Sequence, residues 1–71
     1  EQHLKNVVEA ALLAAGRPLQ PDELRDLFDE FERPGIDEVR AALAALAADY
    51  EGRGVEVREV ASGFRIQVRE A

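Results

Sequence analysis

Apolar residues recur with the period of an α-helix over the first part of the chain. Between residues 4 and 15 they lie on one helical stripe, and Gly16 follows, as glycine often does just past a helix end. A second helix is predicted to begin at Pro21, which suits a first turn, and its apolar positions have spacing i, i+3, i+4, i+7: Leu24, Leu27, Phe28 and Phe31. The Arg-Pro-Gly sequence at residues 33–35 is expected to end this helix.

A third helix is predicted to follow this break. Asp37 and Glu38 suit its first turn, where negative charge is favoured by the helix dipole. Its inward positions form a narrow apolar line of Val39, Leu43, Leu46 and Tyr50, and the other positions are mostly alanine, the strongest helix former. Gly52 and Gly54 are expected to close the helix.

The period then changes from that of a helix to that of a strand. Residues 55–58 and 64–69 alternate apolar and polar side chains, and Ser62-Gly63 supplies turn chemistry between them, so a β-hairpin is predicted. The alternation does not continue cleanly to Val60, and we therefore expect a bulge or a strand end near Glu59.

Three short helices followed by a hairpin are the elements of a winged helix-turn-helix, so the predicted fold class is α+β, with one domain over residues 1–71. The hairpin side chains expected to face the helices are Val55, Val57, Phe64, Ile66 and Val68. The predicted core consists of Leu4, Val8, Leu12, Leu24, Leu27, Phe28, Leu43, Leu46, Phe64 and Ile66.

Size and residue types restrict the classes of function. A chain of 71 residues buries only ~60% of its unfolded surface, so a partner would add needed stability. Without cysteine and with one histidine, neither a disulfide framework nor the usual zinc sites are expected.

The sequence shows no export leader and no apolar run of ~18 residues, which predicts a cytoplasmic location. Because the chain starts at Glu1 rather than methionine, we expect it to be part of a longer protein.

The sequence predicts no catalytic, cofactor or metal site. Nucleophilic catalysis needs a nucleophile held by a base and an orienting group. The only side-chain hydroxyls belong to Ser62, in the predicted turn, and Tyr50, on the core line, while His3 lies near the chain start. The Gly52-Arg53-Gly54 sequence closes a helix and opens a strand, the reverse of a phosphate-binding loop.

The charge distribution argues against base recognition by the third helix, although that helix enters the major groove in DNA-binding relatives of this fold. The net charge is −6, and Arg40 is the only basic residue of the helix, whose first turn is acidic. Only the last twenty residues are net positive, through arginines that include Arg58, Arg65 and Arg69. A hairpin contact with phosphate stays possible, but interleaved glutamates favour a solvated strand surface.

Three surfaces are candidates for contact with a partner or a second copy of the chain. Leu13 lies opposite the main stripe of the first helix; burial beneath the hairpin is the favoured interpretation, and an interface patch is the alternative. The hairpin edge offers Val55, Val57 and Arg58. The third helix presents a smooth face, which high helix propensity on a solvated surface would also explain, made of Ala41, Ala44, Ala45 and Ala48.

Two long stretches of the sequence resemble the segregation and condensation protein B family. The first runs from Leu4 to Leu19 (LKNVVEAALLAAGRPL) and continues with Glu23-Leu24 and Leu27-Phe28. The second runs from Val39 to Arg65, and its most specific part begins at Tyr50. The likeness covers nearly the whole chain.

The resemblance implies a function in chromosome condensation and segregation. Members of this family look like two winged-helix domains in tandem, of which this chain would be the first. The resemblance implies a non-enzymatic, nucleoid-associated subunit that dimerises and binds the kleisin, segregation and condensation protein A, and through it the SMC ATPase. The alternative is the DNA-binding domain of a transcription regulator, since the fold alone does not decide function.

Overall fold

The computed structural model describes residues 1–70, beginning with helix α1 (Gln2–Ala15). The carboxylate of Glu1 accepts a hydrogen bond from the Leu4 backbone N–H at 3.0 Å, and this bond lowers the pKa of the carboxyl. Gly16 ends the helix in the left-handed conformation, at φ 68°. The predicted stripe is confirmed at its three buried positions, which are Leu4, Val8 and Leu12.

Helix α2 (Pro21–Arg25) is much shorter than the sequence pattern predicts. Beyond it the chain continues in turns, with the Leu27 N–H bonded to the Leu24 carbonyl at 3.3 Å and the Phe28 N–H bonded to the Arg25 carbonyl at 3.1 Å. These bonds span three residues rather than four, which is the tighter geometry typical of a helix end. The prediction of a helix extending to Phe31 is therefore wrong.

Side-chain hydrogen bonds hold the segment beyond these turns in a non-helical conformation. The Asp29 carboxylate accepts hydrogen bonds from the backbone N–H groups of Phe31 and Glu32, each at 3.0 Å. Aspartate can compete with the helix in this way because its short side chain reaches nearby backbone donors. Outside the helix, Phe31 is 92% exposed and Leu27 is 57% exposed, so the prediction that Leu27 belongs to the core is also wrong.

Helix α3 (Ile36–Asp49) begins with an acidic first turn, as predicted. The Glu38 carboxylate accepts a hydrogen bond from the Gly35 backbone N–H at 2.8 Å, which satisfies a donor at the start of the helix. Its inward side is buried at Val39, Ala42, Leu43 and Leu46, and Tyr50, at the end of the helix, is buried as well.

Strands β1 (Val55–Val60) and β2 (Gly63–Val68) form an antiparallel hairpin. Their register is continuous from Val55 opposite Val68 to Val60 opposite Gly63, so the ladder contains no bulge and the strand simply ends at Val60. The turn consists of Ala61-Ser62. Val68 is 77% exposed, so the expectation that it faces the helices is wrong.

The link between α1 and α2 crosses the start of β2 and pairs with it through an isolated β-bridge at Leu19. Leu19 and Phe64 exchange two backbone hydrogen bonds, at 2.9 Å and 2.8 Å. Gly63 lies directly beneath this crossing, with φ at 138°, and a Cβ at this position would stand 2.5 Å from the Leu19 carbonyl carbon. Only glycine permits so close an approach of two backbones.

The core lies between α1, α3 and the inner face of the hairpin. Of the predicted core residues, Phe28, Phe64 and Ile66 are half-buried against it. The predicted winged helix-turn-helix is confirmed. Within residues 1–70 every helix is too short or too polar to span a membrane. The fully buried core consists of Leu4, Val8, Leu12, Leu19, Leu24, Val39, Ala42, Leu43, Leu46 and Tyr50.

Candidate protein-interaction surfaces

The outward side of α3 is a continuous alanine face, defined by Ala41, Ala44, Ala45 and Ala48, all of which are exposed. Methyl groups allow another backbone to approach closely but offer no hydrogen bonds to base edges, which require polar side chains. Arg40 is exposed beside this face, while Asp37 and Glu38 are exposed at the N-terminal end of the helix. Acidic residues at that end would meet a DNA phosphate with like charge.

The outward side of the hairpin carries charges that are already paired with one another. Glu56 lies 3.8 Å from the Arg58 guanidinium and 3.5 Å from that of Arg69, and it also accepts a hydrogen bond from the Gln67 amide at 3.1 Å. The Arg65 Nε donates to the Gln67 carbonyl oxygen at 2.7 Å. The hairpin arginines therefore belong to a polar network on the strand surface.

Arg69 has a structural role that the sequence pattern does not reveal. Its guanidinium donates to the backbone carbonyls of Tyr50 at 3.1 Å, Arg53 at 3.0 Å and Val55 at 3.2 Å, and its own backbone N–H bonds to the Gly54 carbonyl at 2.8 Å. This Arg69 clamp fixes the connection between α3 and β1. A basic residue suits the C-terminal end of a helix, where carbonyls lack partners.

Two polar contacts join α1 to the end of α3. The Tyr50 hydroxyl donates a hydrogen bond to the Glu9 carboxylate, and burial together with this bond raises the pKa of Tyr50 to about 12. Lys5 pairs with Asp49 at 2.6 Å. The Tyr50 ring also lies under the Arg53 guanidinium, 5.2 Å from the ring centre. The Tyr50 hydroxyl, through its bond to Glu9, joins the two helices.

Leu13 is 63% exposed, so the favoured expectation that it packs beneath the hairpin is wrong. It borders a shallow depression of about 290 Å³ between α1 and β2, together with Arg17 and Arg65. The alternative interpretation, that Leu13 contributes to an interface, remains as a hypothesis.

Strand β1 is the open edge of the hairpin. On its other side β2 bonds to Leu19, whereas β1 has no further strand partner within residues 1–70. Val55 and Val57 are half-buried and Arg58 is exposed. The Val55 carbonyl already accepts a hydrogen bond from Arg69, and the other backbone groups along this edge can accept another strand.

Residues 26–32 form an acidic loop where the apolar spacing predicts the end of a helix. The loop contains four carboxylates and no cation, and none of the four pairs with a basic side chain within the described residues. Its two exposed apolar side chains are Leu27 and Phe31. The signal available in the sequence is the alternation of acids with large apolar residues.

Within residues 1–70, no three histidine, aspartate or glutamate side chains lie together in a way that could hold a metal ion.

Comparison with known sequences places this chain in a family. The profile of the family described as segregation and condensation complex subunit ScpB matches residues 6–71. A segregation and condensation protein B homolog from Coxiella burnetii is 46% identical over 69 residues. The chain belongs to the ScpB family. The match covers 97% of this chain but 33% of the Coxiella protein, so the chain spans about a third of that relative's length.

Two solved ScpB structures have the same fold. The crystal structure of ScpB from Mycobacterium tuberculosis superposes with a TM-score of 0.78 at 32% identity, covering 93% of this chain and 40% of that one. A crystallised dimer of the ScpB N-terminal domain complexed with an ScpA peptide superposes with a TM-score of 0.79 at 26% identity, covering 93% and 75% of the two chains.

Proposed function

We propose that this chain is the N-terminal winged-helix domain of an ScpB subunit, and that it acts by binding proteins rather than by catalysis. The alanine face of α3 carries this proposal most directly, because the helix that would enter the DNA groove offers methyl groups where base contacts require polar side chains. Its acidic first turn adds to the argument. The similar fold of an ScpB domain crystallised as a dimer with an ScpA peptide supports protein partners.

The proposed partners are the kleisin ScpA and, through it, the SMC ATPase of the bacterial chromosome condensation complex. We place the chain as the first of two winged-helix domains in a longer protein, since it spans about a third of the Coxiella relative. The corresponding location is the cytoplasm, at the nucleoid.

We also propose that the domain forms a homodimer. The candidate contact surfaces are Leu13, the alanine face of α3 and the open edge of β1 at Val55, Val57 and Arg58. A twofold contact would bury one self-complementary patch and add stability that a small core lacks. The acidic loop is unsuited to this contact because two copies would repel one another.

Sedimentation equilibrium and calorimetry with ScpA of the same organism test the two halves of this proposal separately. We expect a dimer whose melting temperature rises with protein concentration, and a saturable heat of ScpA binding. Leu13→Glu and Ala44→Glu place a charge on two candidate surfaces at exposed positions, so the variant that becomes monomeric identifies the contact. A strictly monomeric protein at high concentration would contradict the dimer, and the absence of ScpA binding would contradict the kleisin assignment.

A further inference from the structure

Phe31 is the most exposed large apolar side chain of the domain, and the fold holds it in that position. Its ring is 92% exposed, yet its backbone N–H is fixed by the Asp29 carboxylate at 3.0 Å. The end of the loop is also tied down, because the Arg25 Nε donates to the Pro34 carbonyl at 2.8 Å and Pro34 is buried. Because the backbone is already held, a partner that covers Phe31 needs to immobilise only an aromatic side chain with two rotatable bonds, which costs little conformational entropy.

A groove opens beside this ring, with a volume of about 500 Å³. Its apolar lining comes from Leu4 of α1, Phe28, Phe31, Pro34 and Ala41. Ala41 is the first residue of the alanine face, so the groove and that face form one continuous surface. The size lies within the usual range for a site that accepts side chains from a ligand.

The charges around the groove select the chemistry of its occupant. The lining contains three carboxylates, from Glu1, Glu32 and Glu38, against two basic side chains, the guanidinium of Arg33 and the imidazole of His3. The acidic loop adds further carboxylates that lack cationic partners within residues 1–70. A ligand with lysine or arginine beside an apolar side chain would complement this rim, whereas a second copy of the loop would be repelled.

We infer that this groove binds a segment of ScpA in which a large apolar side chain, flanked by lysine or arginine, packs against Phe31 and Phe28. This inference rests on the proposed function, since it assumes ScpA as the partner, and it names the site and the chemistry of the bound segment. Phe31 is the anchor of the contact, because central aromatic residues carry most of the affinity in protein interfaces. The acids of the rim favour encounter with the basic segment.

Calorimetric titration of the 71-residue chain with ScpA of the same organism tests the site through two pairs of variants. Phe31→Ala should weaken binding by about tenfold or more, whereas Val68→Ala, which truncates another largely exposed apolar side chain, this one on β2, should change it by less than about twofold. Glu32→Lys should weaken binding and reduce its dependence on salt, whereas Glu51→Lys, at an exposed acid beyond α3, should do neither. The melting temperatures of all four variants should match the parent.

Three other results would overturn the inference. If ScpA binds the parent and Phe31→Ala equally, the site lies elsewhere, although the proposed function stands. If Phe31→Ala lowers self-association and leaves ScpA binding unchanged, the groove holds a second copy of the chain. If the parent itself does not bind ScpA, the proposed function fails together with this site.

Discussion

The two ends of α3 are built in opposite ways. At its C-terminal end, the Arg69 clamp and the bond from Tyr50 to Glu9 commit polar side chains to groups of the same domain. At its N-terminal end, the acidic loop leaves Phe31 in water and its carboxylates without cationic partners in the described part of the chain. The difference indicates that one end stabilises the fold while the other remains available for binding.

This separation has a consequence for substitution. Changes at the C-terminal end of α3 should lower the free energy of unfolding and affect binding only through loss of folded protein. At the N-terminal end, changes to exposed side chains that make no hydrogen bond, such as Phe31 and Glu32, should affect binding while the melting temperature stays constant. The two kinds of effect can therefore be measured independently.

The largest effect on stability is expected from a buried leucine. Leu43 is 3% exposed, so Leu43→Ala should lower the free energy of unfolding by about 2–5 kcal/mol through lost burial and a residual cavity. Leu13→Ala is the matched control on the exposed surface, and at low protein concentration, where dimerisation is suppressed, it should cost less than about 0.5 kcal/mol. Urea denaturation measures both. Equal losses would show that the division between core and surface is misplaced.

A backbone contact provides the next effect. Gly63→Ala would place a methyl group 2.5 Å from the Leu19 carbonyl at a φ that disfavours side chains, so we expect a loss of about 1–3 kcal/mol or separation of Leu19 from β2. Gly54→Ala meets no atom within 4 Å and should leave stability nearly unchanged. Amide hydrogen exchange at Leu19 and Phe64 would report the separation, and full protection in Gly63→Ala would contradict it.

Removal of the Arg69 clamp should have a smaller effect. Arg69→Ala leaves three backbone carbonyls without their side-chain donor, but water can replace part of the loss because the side chain is 39% exposed. We expect a cost of about 1 kcal/mol. Arg58→Ala, which removes a surface ion pair only, should be close to neutral. If Arg69→Ala leaves the free energy of unfolding unchanged, the clamp does not stabilise the C-terminal end of α3.

The last effect appears only at alkaline pH. The folded-state pKa of Tyr50, about 12, lies above its ordinary value of 10.0, so folding favours the protonated hydroxyl. Its contribution is complete below pH 10 and is lost as the pH rises toward 12. Tyr50 is the sole tyrosine, so tyrosinate absorbance follows its titration directly. Tyr50→Phe should lack this loss of stability, and an ordinary titration near pH 10 would contradict the buried bond.

The sequence predicts the order of elements well, because amphipathic spacing governs α1, α3 and both strands. It fails at the end of α2, where apolar spacing continues to Phe31 but the chain passes into turns at Leu27 and Phe28, and the Asp29 carboxylate then binds the backbone N–H groups that follow. The same failure conceals the acidic loop as a candidate site. Periodicity also cannot show that Arg69 turns back to the carbonyls of another element, since that contact depends on the path of the chain.

The central claim is that this winged helix binds a protein partner in place of DNA, and one titration tests it directly. Labelled ScpA and a labelled DNA duplex are each titrated with the 71-residue chain in the same buffer at physiological salt, and fluorescence anisotropy is followed. We expect saturable binding of ScpA and no appreciable binding of DNA. Micromolar, strongly salt-dependent DNA binding without ScpA binding would contradict the account and make Arg58 and Arg65 phosphate ligands.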